Sequence, residues 1–199
     1  MTTTRLVRLS SMVLVLLLVS CFGSSPPKEE RFYNLTGPRY SAFVRGGPRL
    51  VVASFAAAAG YDSQRLAYRL SPYEIQYYGY RQWVTEPARL FQEWTMRHLR
   101  ASKMFAEVTS SDRLRDPTAV LYGVVEAVEE VDRGETWLAR LSMTFILRQG
   151  ESEKVVLRHH FDTTRPCARR HPDEVPKEIA KILEKESKRL AERIVSALR

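Results

Sequence analysis

Apolar and polar residues alternate with a period of two over much of this chain, and two stretches switch to a period near 3.6. The clearest alternation is at 137–147, where Trp137, Ala139, Leu141, Met143, Phe145 and Leu147 take every odd position and Arg140, Ser142 and Thr144 point the other way. This pattern describes a strand with one face packed and one mostly wet. Val120–Val131 before it is rich in β-formers, and Asp132-Arg-Gly-Glu135 supplies the turn between them. Gln149-Gly-Glu-Ser152 turns the chain again into Lys154–Thr163, where Val155, Leu157 and Phe161 continue the inward face. An antiparallel meander is predicted.

Upstream, Leu50–Phe55 reads as a short buried strand. Leu66, Tyr68 and Leu70 share one face of a strand over 65–70, and Tyr73, Ile75 and Tyr77 match that face in the next. Pro72 cannot supply the positive φ of the tightest hairpin turns, so the register of this pair stays open. Thr85-Glu86-Pro87 opens a helix to about Ser102, with Leu90, Phe91, Trp94 and His98 as its apolar stripe. A second, longer helix over 173–198 places Val175, Ile179, Ile182, Leu183, Leu190, Ile194 and Leu198 on one side. Glu184–Lys188 and Lys188–Glu192 form opposite-charge pairs on its wet side. Phe32, Tyr33 and Leu35 mark where folding starts, and Gly37-Pro38 and Gly46-Gly47-Pro48 punctuate a loop. Five or six strands, a central helix and a long C-terminal helix make residues 31–199 one α+β domain, its mostly antiparallel sheet covered by helices on one face.

The N-terminus follows a different logic. Arg5 and Arg8 precede the apolar run Met12–Val19, which in a helix rises only about 12 Å against the ~30 Å hydrocarbon core. That is a secretory signal over residues 1–20, without the A-x-A exit of ordinary cleavage. In its place stands Leu18-Val19-Ser20-Cys21, which resembles the lipobox of bacterial lipoproteins. The resemblance implies cleavage before Cys21, a diacylglyceryl thioether on its sulfur and an N-acyl chain such as palmitate. Two or more chains anchor a protein stably where one does not. Phe22, where inner-membrane retention would need Asp, implies the outer membrane. Residues 21–30 are Ser/Pro/charged after Cys21 and read as a tether of about 30 Å at full extension.

The 199 residues, with 44% hydrophobic and 27% charged, fit ordinary globular composition. A net charge of +8, reduced to +6 without Arg5 and Arg8, is scattered among acids and gives no reason to expect nucleic acid. With Cys21 acylated, Cys167 is the lone thiol, so neither a disulfide scaffold nor a four-cysteine zinc site can form. Arg165, Arg169 and Arg170 flank Cys167 and could lower its pKa, but a nucleophile also needs a base, and a loop thiol is the simpler reading. His98 lies on an apolar helix face, His159 inward and His160 outward on one strand, so no metal ligand set is expected. Glu129 and Glu130 fall on opposite strand faces, against a paired-carboxylate site. With no nucleophile elbow, phosphate loop or dinucleotide fingerprint, no catalytic residue and no enzyme activity are predicted.

Six of the nine tyrosines lie between residues 61 and 80. Strand preference accounts for Tyr68, Tyr73 and Tyr77 as core, and leaves Tyr78, Tyr80 and Trp83. Exposed aromatics beside arginine are typical of protein contact surfaces. Tyr73, Tyr77, Tyr78, Tyr80, Arg81 and Trp83 are therefore the candidate partner-binding residues, with core packing as the competing account.

The same stretch, Arg65-Leu-Ala-Tyr-Arg-Leu-Ser-Pro-Tyr-Glu-Ile-Gln-Tyr-Tyr-Gly-Tyr-Arg-Gln-Trp83 with Glu86-Pro-Ala-Arg89 opening a helix, resembles the ABC-type transport auxiliary lipoprotein family. Phe32-Tyr-Asn-Leu35 and the lipobox fit it too, while the C-terminal half matches in architecture only. The resemblance implies a fold like the N-terminal domain of TolB. It also implies a non-catalytic component at the periplasmic face of the outer membrane, docking a mammalian-cell-entry (MCE) protein and an ABC permease and ATPase. No cofactor beyond the acyl chains is implied. The one-sided C-terminal helix could also pack between copies in a homo-oligomer. A lipid-binding carrier, with an apolar pocket between sheet and C-terminal helix, is the alternative. A hydrolase would need a nucleophile–base pair that the sequence does not offer.

Overall fold

The structure, a computed structural model, describes residues 29–38, 46–110, 114–150 and 152–199. The signal peptide, Cys21 and the tether up to residue 28 lie outside the described residues. Among those described are nine strands: β1 (Arg31–Tyr33), β2 (Arg49–Val52), β3 (Ala56–Ala57), β4 (Arg65–Ser71), β5 (Glu74–Trp83), β6 (Glu107–Ser110), β7 (Ala119–Arg133), β8 (Thr136–Gln149) and β9 (Val155–Pro166). The helices are α1 (Pro87–Ala101) and α2 (Glu174–Ala197).

The long β-branched strand β7 is the spine. One of its edges pairs with β8 from Ala119↔Gln149 to Arg133↔Thr136, and β8 pairs with β9, which gives the expected antiparallel meander. The other edge is shared by three short parallel partners: β2 against Ala119–Leu121, β3 against Val124–Val125 and β4 against Glu129–Val131. β6 runs parallel beside β2, β5 antiparallel to β4, and β1 parallel to β5. The sheet is thus mixed, with the antiparallel pairings the long ones.

Both helices lie on one face of this sheet and touch each other. Odd positions of β8 point at them, and Leu141, Met143, Phe145 and Leu147 are buried against Ile179, Ile182, Leu183 and Leu190 of α2. Each such side chain contributes about 1.5–3 kcal/mol on full burial. His159 sits in this interface. Its Nδ1 is 2.6 Å from Arg193 Nη1, an obligate donor, so the ring proton is on Nε2, 3.3 Å from Glu186 Oε2. Burial, then Arg193, lowers the His159 pKa and keeps the ring neutral.

A register shift between Val125 and Ala127 reverses the facing of β7. Val125 faces Met143 before it; after it Val128 and Glu130 lie beside Leu141 and Ala139 on the helix side, and Glu129 beside Arg140 on the other.

Three expectations about faces are corrected. Leu70 is 51% and Tyr73 98% exposed rather than inward, because β4 pairs with β7 only over Ala67–Arg69 and the hairpin projects beyond that contact. Val155, at the start of β9, is exposed as well. Trp83, expected at the surface, is fully buried, edge-on to Phe91 of α1 at 6.1 Å and to Tyr33 at 6.4 Å.

Candidate contact surface

The β4–β5 hairpin divides its aromatic residues instead of gathering them. Tyr77 lies opposite Ala67, donates its hydroxyl to the Gly60 carbonyl at 2.9 Å, and has the Arg65 guanidinium 4.6 Å over its ring. Tyr78 points to the other side, against Tyr68 at 4.8 Å, and donates to Glu130 Oε2 at 2.9 Å. Arg81 donates to the Tyr33 hydroxyl at 3.0 Å and to Asp173 Oδ1 at 2.9 Å. With Trp83 in the core, only Tyr73 and Tyr80 of the six candidates are exposed aromatics. They stand seven residues apart, roughly 24 Å along an extended chain. The single aromatic surface read from the sequence is therefore split.

Glu129 and Glu130 do occupy opposite faces, and both are buried. Glu129 accepts from the Tyr61 hydroxyl at 2.6 Å, Arg69 Nε at 2.9 Å and Arg140 Nη1 at 2.9 Å. Arg140 also clasps both oxygens of Asp162 at 2.9 and 2.7 Å. Glu130 receives the Tyr78 hydroxyl, and burial pushes its carboxyl up to about 7.

Cys167 lies near this carboxyl. Burial first, then Glu130, Glu178 and Glu174, push the thiol up to about 11, opposite to the lowering expected from its arginine neighbours. Those arginines are engaged elsewhere: Arg165 with Glu178 at 2.7 Å, Arg169 with Glu174 at 2.9 Å, and Arg170 with Asp132 at 3.5 Å. Burial likewise raises Tyr78, so thiol and phenol both keep their protons at neutral pH. Among the described residues no group of three or more His, Cys, Asp or Glu is placed to hold a metal ion.

Glu130→Gln removes the titrating group and keeps an acceptor for Tyr78. The unfolded carboxyl releases its proton near 4.5 and the native one near 7, so between these values the native state binds more protons and stability falls as pH rises. The variant should match the parent near the lower value and exceed it at pH 8 by about 3 kcal/mol, since the two values lie about 2.5 apart and one pKa unit corresponds to ~1.4 kcal/mol. Urea unfolding at both pH values checks this. Equal stability at pH 8 would mean that the buried carboxylate ionises without penalty.

Sequence reading missed the cluster that ties the N-terminal strand down. Asp173 accepts from Arg31 at 2.8 Å, from Arg81 and from Tyr33, joining β1, β5 and the start of α2. Burial alone would raise its carboxyl, but the Tyr33 hydroxyl and Arg81 outweigh that and hold it below its ordinary value. These residues come from three distant segments, and no local pattern links them.

A ~340 Å³ cleft lies between the two helices, lined by Trp94, His98, Ala101, Glu184 and Lys188 among others. It is not the sheet–helix pocket of the carrier reading, since that interface is filled by the core. The apolar stripe of α2, from Val175 to Ile194, is also buried within the domain. It no longer argues for packing between copies.

A family model described as the ABC-type transport auxiliary lipoprotein component matches residues 33–195. The chain belongs to this family. A crystal structure of a Xanthomonas campestris protein of the DUF330 family is similar at 22% identity and TM-score 0.69, covering 84% of this chain and 95% of its own. An uncharacterized protein of known structure is similar at 15% identity and TM-score 0.70, covering 84% and 99%. A hypothetical protein from Chlamydia trachomatis is similar at 8% identity and TM-score 0.53, covering 76% and 98%. At these identities the likeness concerns the fold. Among curated proteins, none matches. Family membership makes the chain an auxiliary lipoprotein of ABC-type transport, with a membrane-anchored place in the cell envelope. No helix among the described residues is long and apolar enough to cross a membrane.

Proposed function

We propose that the chain is a non-catalytic docking subunit of an MCE-type envelope lipid transport system, held at the periplasmic face of the outer membrane by acylated Cys21. Its partners are an MCE-domain protein and the ABC permease and ATPase. The observation that carries this reading is the family match over residues 33–195, which begins just after a signal, a lipobox and a tether in the order a lipoprotein requires. The site chemistry supports a non-catalytic role: the half-buried Cys167 thiol and Tyr78 phenol are pushed away from reactivity. Tyr73 and Tyr80 remain as the exposed aromatics on which a partner could close.

The test is a gentle detergent pull-down of the full-length chain from its own membranes, with protein and lipid mass spectrometry, beside a Cys21→Ala control. MCE and ABC subunits are expected with the parent and lost with the control. Recovery of stoichiometric phospholipid without those subunits would replace the docking role with that of a lipid carrier.

A further inference from the structure

The direction in which the chain leaves the domain is fixed twice over. β1 is parallel to β5, with Arg31 beside Arg81 and Tyr33 beside Trp83, so tracing back from Arg31 to Glu29 leads toward the start of β5 and the hairpin tip. Residues 31–38 also run along α2. Arg31 is at Asp173, Thr36 lines a surface cleft together with Lys177 and Ala180, and Pro38 lines one together with Ser187 and Lys188. Traced back, the chain passes the N-terminal end of α2. Pro166, beside Leu138 at the end of β9, leads into that helix start, and the hairpin tip shares a cleft with Asp132, Arg133 and Thr164. Hairpin tip and β7–β8 turn thus occupy one end of the domain, and the chain leaves in the direction of that end.

That end presents Leu70 and Tyr73, 51% and 98% exposed, on either side of Ser71-Pro72. The tip is braced. Arg69 Nη1 donates to the Pro72 carbonyl at 3.0 Å, and the Tyr73 amide donates to Ser71 Oγ at 3.3 Å. A braced tip loses little conformational freedom on binding. Tyrosine suits the layer where lipid headgroups meet hydrocarbon, with its ring in the apolar part and its hydroxyl wet. Arg169 and Arg170 follow Pro166 at the same end; their side chains, 69% and 53% exposed, are paired with Glu174 and Asp132, and a lipid phosphate would share those guanidinium groups with the carboxylates.

The tether length agrees. The eight residues from Cys21 to residue 28 span at most about 26 Å. Extending the β1–β5 register puts Glu29 level with residue 79, about 20 Å short of Tyr73 along the hairpin. The anchor therefore lets the tip reach the surface that the acyl chains enter.

We infer that the hairpin tip Leu70-Ser-Pro-Tyr73 is a membrane-contact element, seated in the interfacial layer of the bilayer that holds Cys21. The inference rests on the anchor reading above. It gives the domain one orientation on the membrane and leaves Tyr80, on the far part of β5, to protein partners.

The test uses full-length lipidated protein, with Cys167→Ser, reconstituted into vesicles of phosphatidylethanolamine and phosphatidylglycerol. A nitroxide is placed through Tyr73→Cys or, at the β8–β9 turn on the opposite end, through Ser152→Cys. Collision with a water-soluble nickel complex should fall about fivefold at position 73 relative to position 152, as for a group at the headgroup level. Equal accessibility in protein that floats with the vesicles overturns the membrane contact and leaves the anchor standing. Protein that fails to float, like a Cys21→Ser control, overturns the anchor and the contact together.

Discussion

Trp83→Ala is expected to lower the unfolding free energy by about 3–5 kcal/mol, the range for deleting a large buried aromatic. Tyr73→Ala, at a side chain 98% exposed, should move it by no more than ~0.5 kcal/mol. Trp83 has no exposed surface and meets both Phe91 and Tyr33 edge-on, and its indole N–H finds no acceptor among the described residues. Its contribution is therefore apolar area and ring contact, and Trp83→Phe should retain much of it. Urea midpoints at unchanged m-value measure the difference. If Trp83→Ala stays within ~1 kcal/mol of the parent, the residue is not the core anchor described here. A triple replacement of Tyr78, Tyr80 and Trp83 would confound lost capture with lost folding. The informative pair for partner binding is Tyr73 and Tyr80.

Why Tyr73 and Trp83 exchange their expected places lies in what a period of two can carry. Within 137–147 no bulge occurs, and each odd residue from Ala139 to Leu147 is buried as the pattern predicts. The β4–β5 pair has register shifts between Arg65 and Ala67 and again between Arg69 and Ser71. Each shift breaks the facing, and neither has a marker such as glycine at φ > 0 on β4. The parallel docking of β2, β3 and β4 on one edge of β7 was hidden for another reason. Parallel partners need no turn between them and leave no adjacent signal. Glu129 and Glu130 were separable because consecutive strand residues alternate whatever the register. That both would be buried, and that Cys167 would lie nearer Glu130 in effect than its own arginine neighbours, depends on contacts made across the sheet.

Glu129→Ala should be as damaging as Trp83→Ala, at about 3–5 kcal/mol, because removing one member of a buried charge cluster leaves the others without a partner. The loss is uneven. Arg140 keeps its two contacts to Asp162, but Arg69 loses its carboxylate and the Tyr61 hydroxyl loses its acceptor. Burial and Glu129 push that phenol up to about 12, so it stays a donor at any working pH and cannot relieve the loss by ionising. In an Arg69→Met background the same substitution should cost visibly less, and the double-mutant cycle measures the coupling. Equal costs in both backgrounds would show that Arg69 and Glu129 do not act as a unit. Arg69 also holds the Pro72 carbonyl, so the cluster that stabilises the sheet is the one that braces the hairpin tip. Glu129→Ala should therefore loosen residues 70–73 to hydrogen exchange even where the remaining domain stays folded, and weaken whatever contact the tip makes.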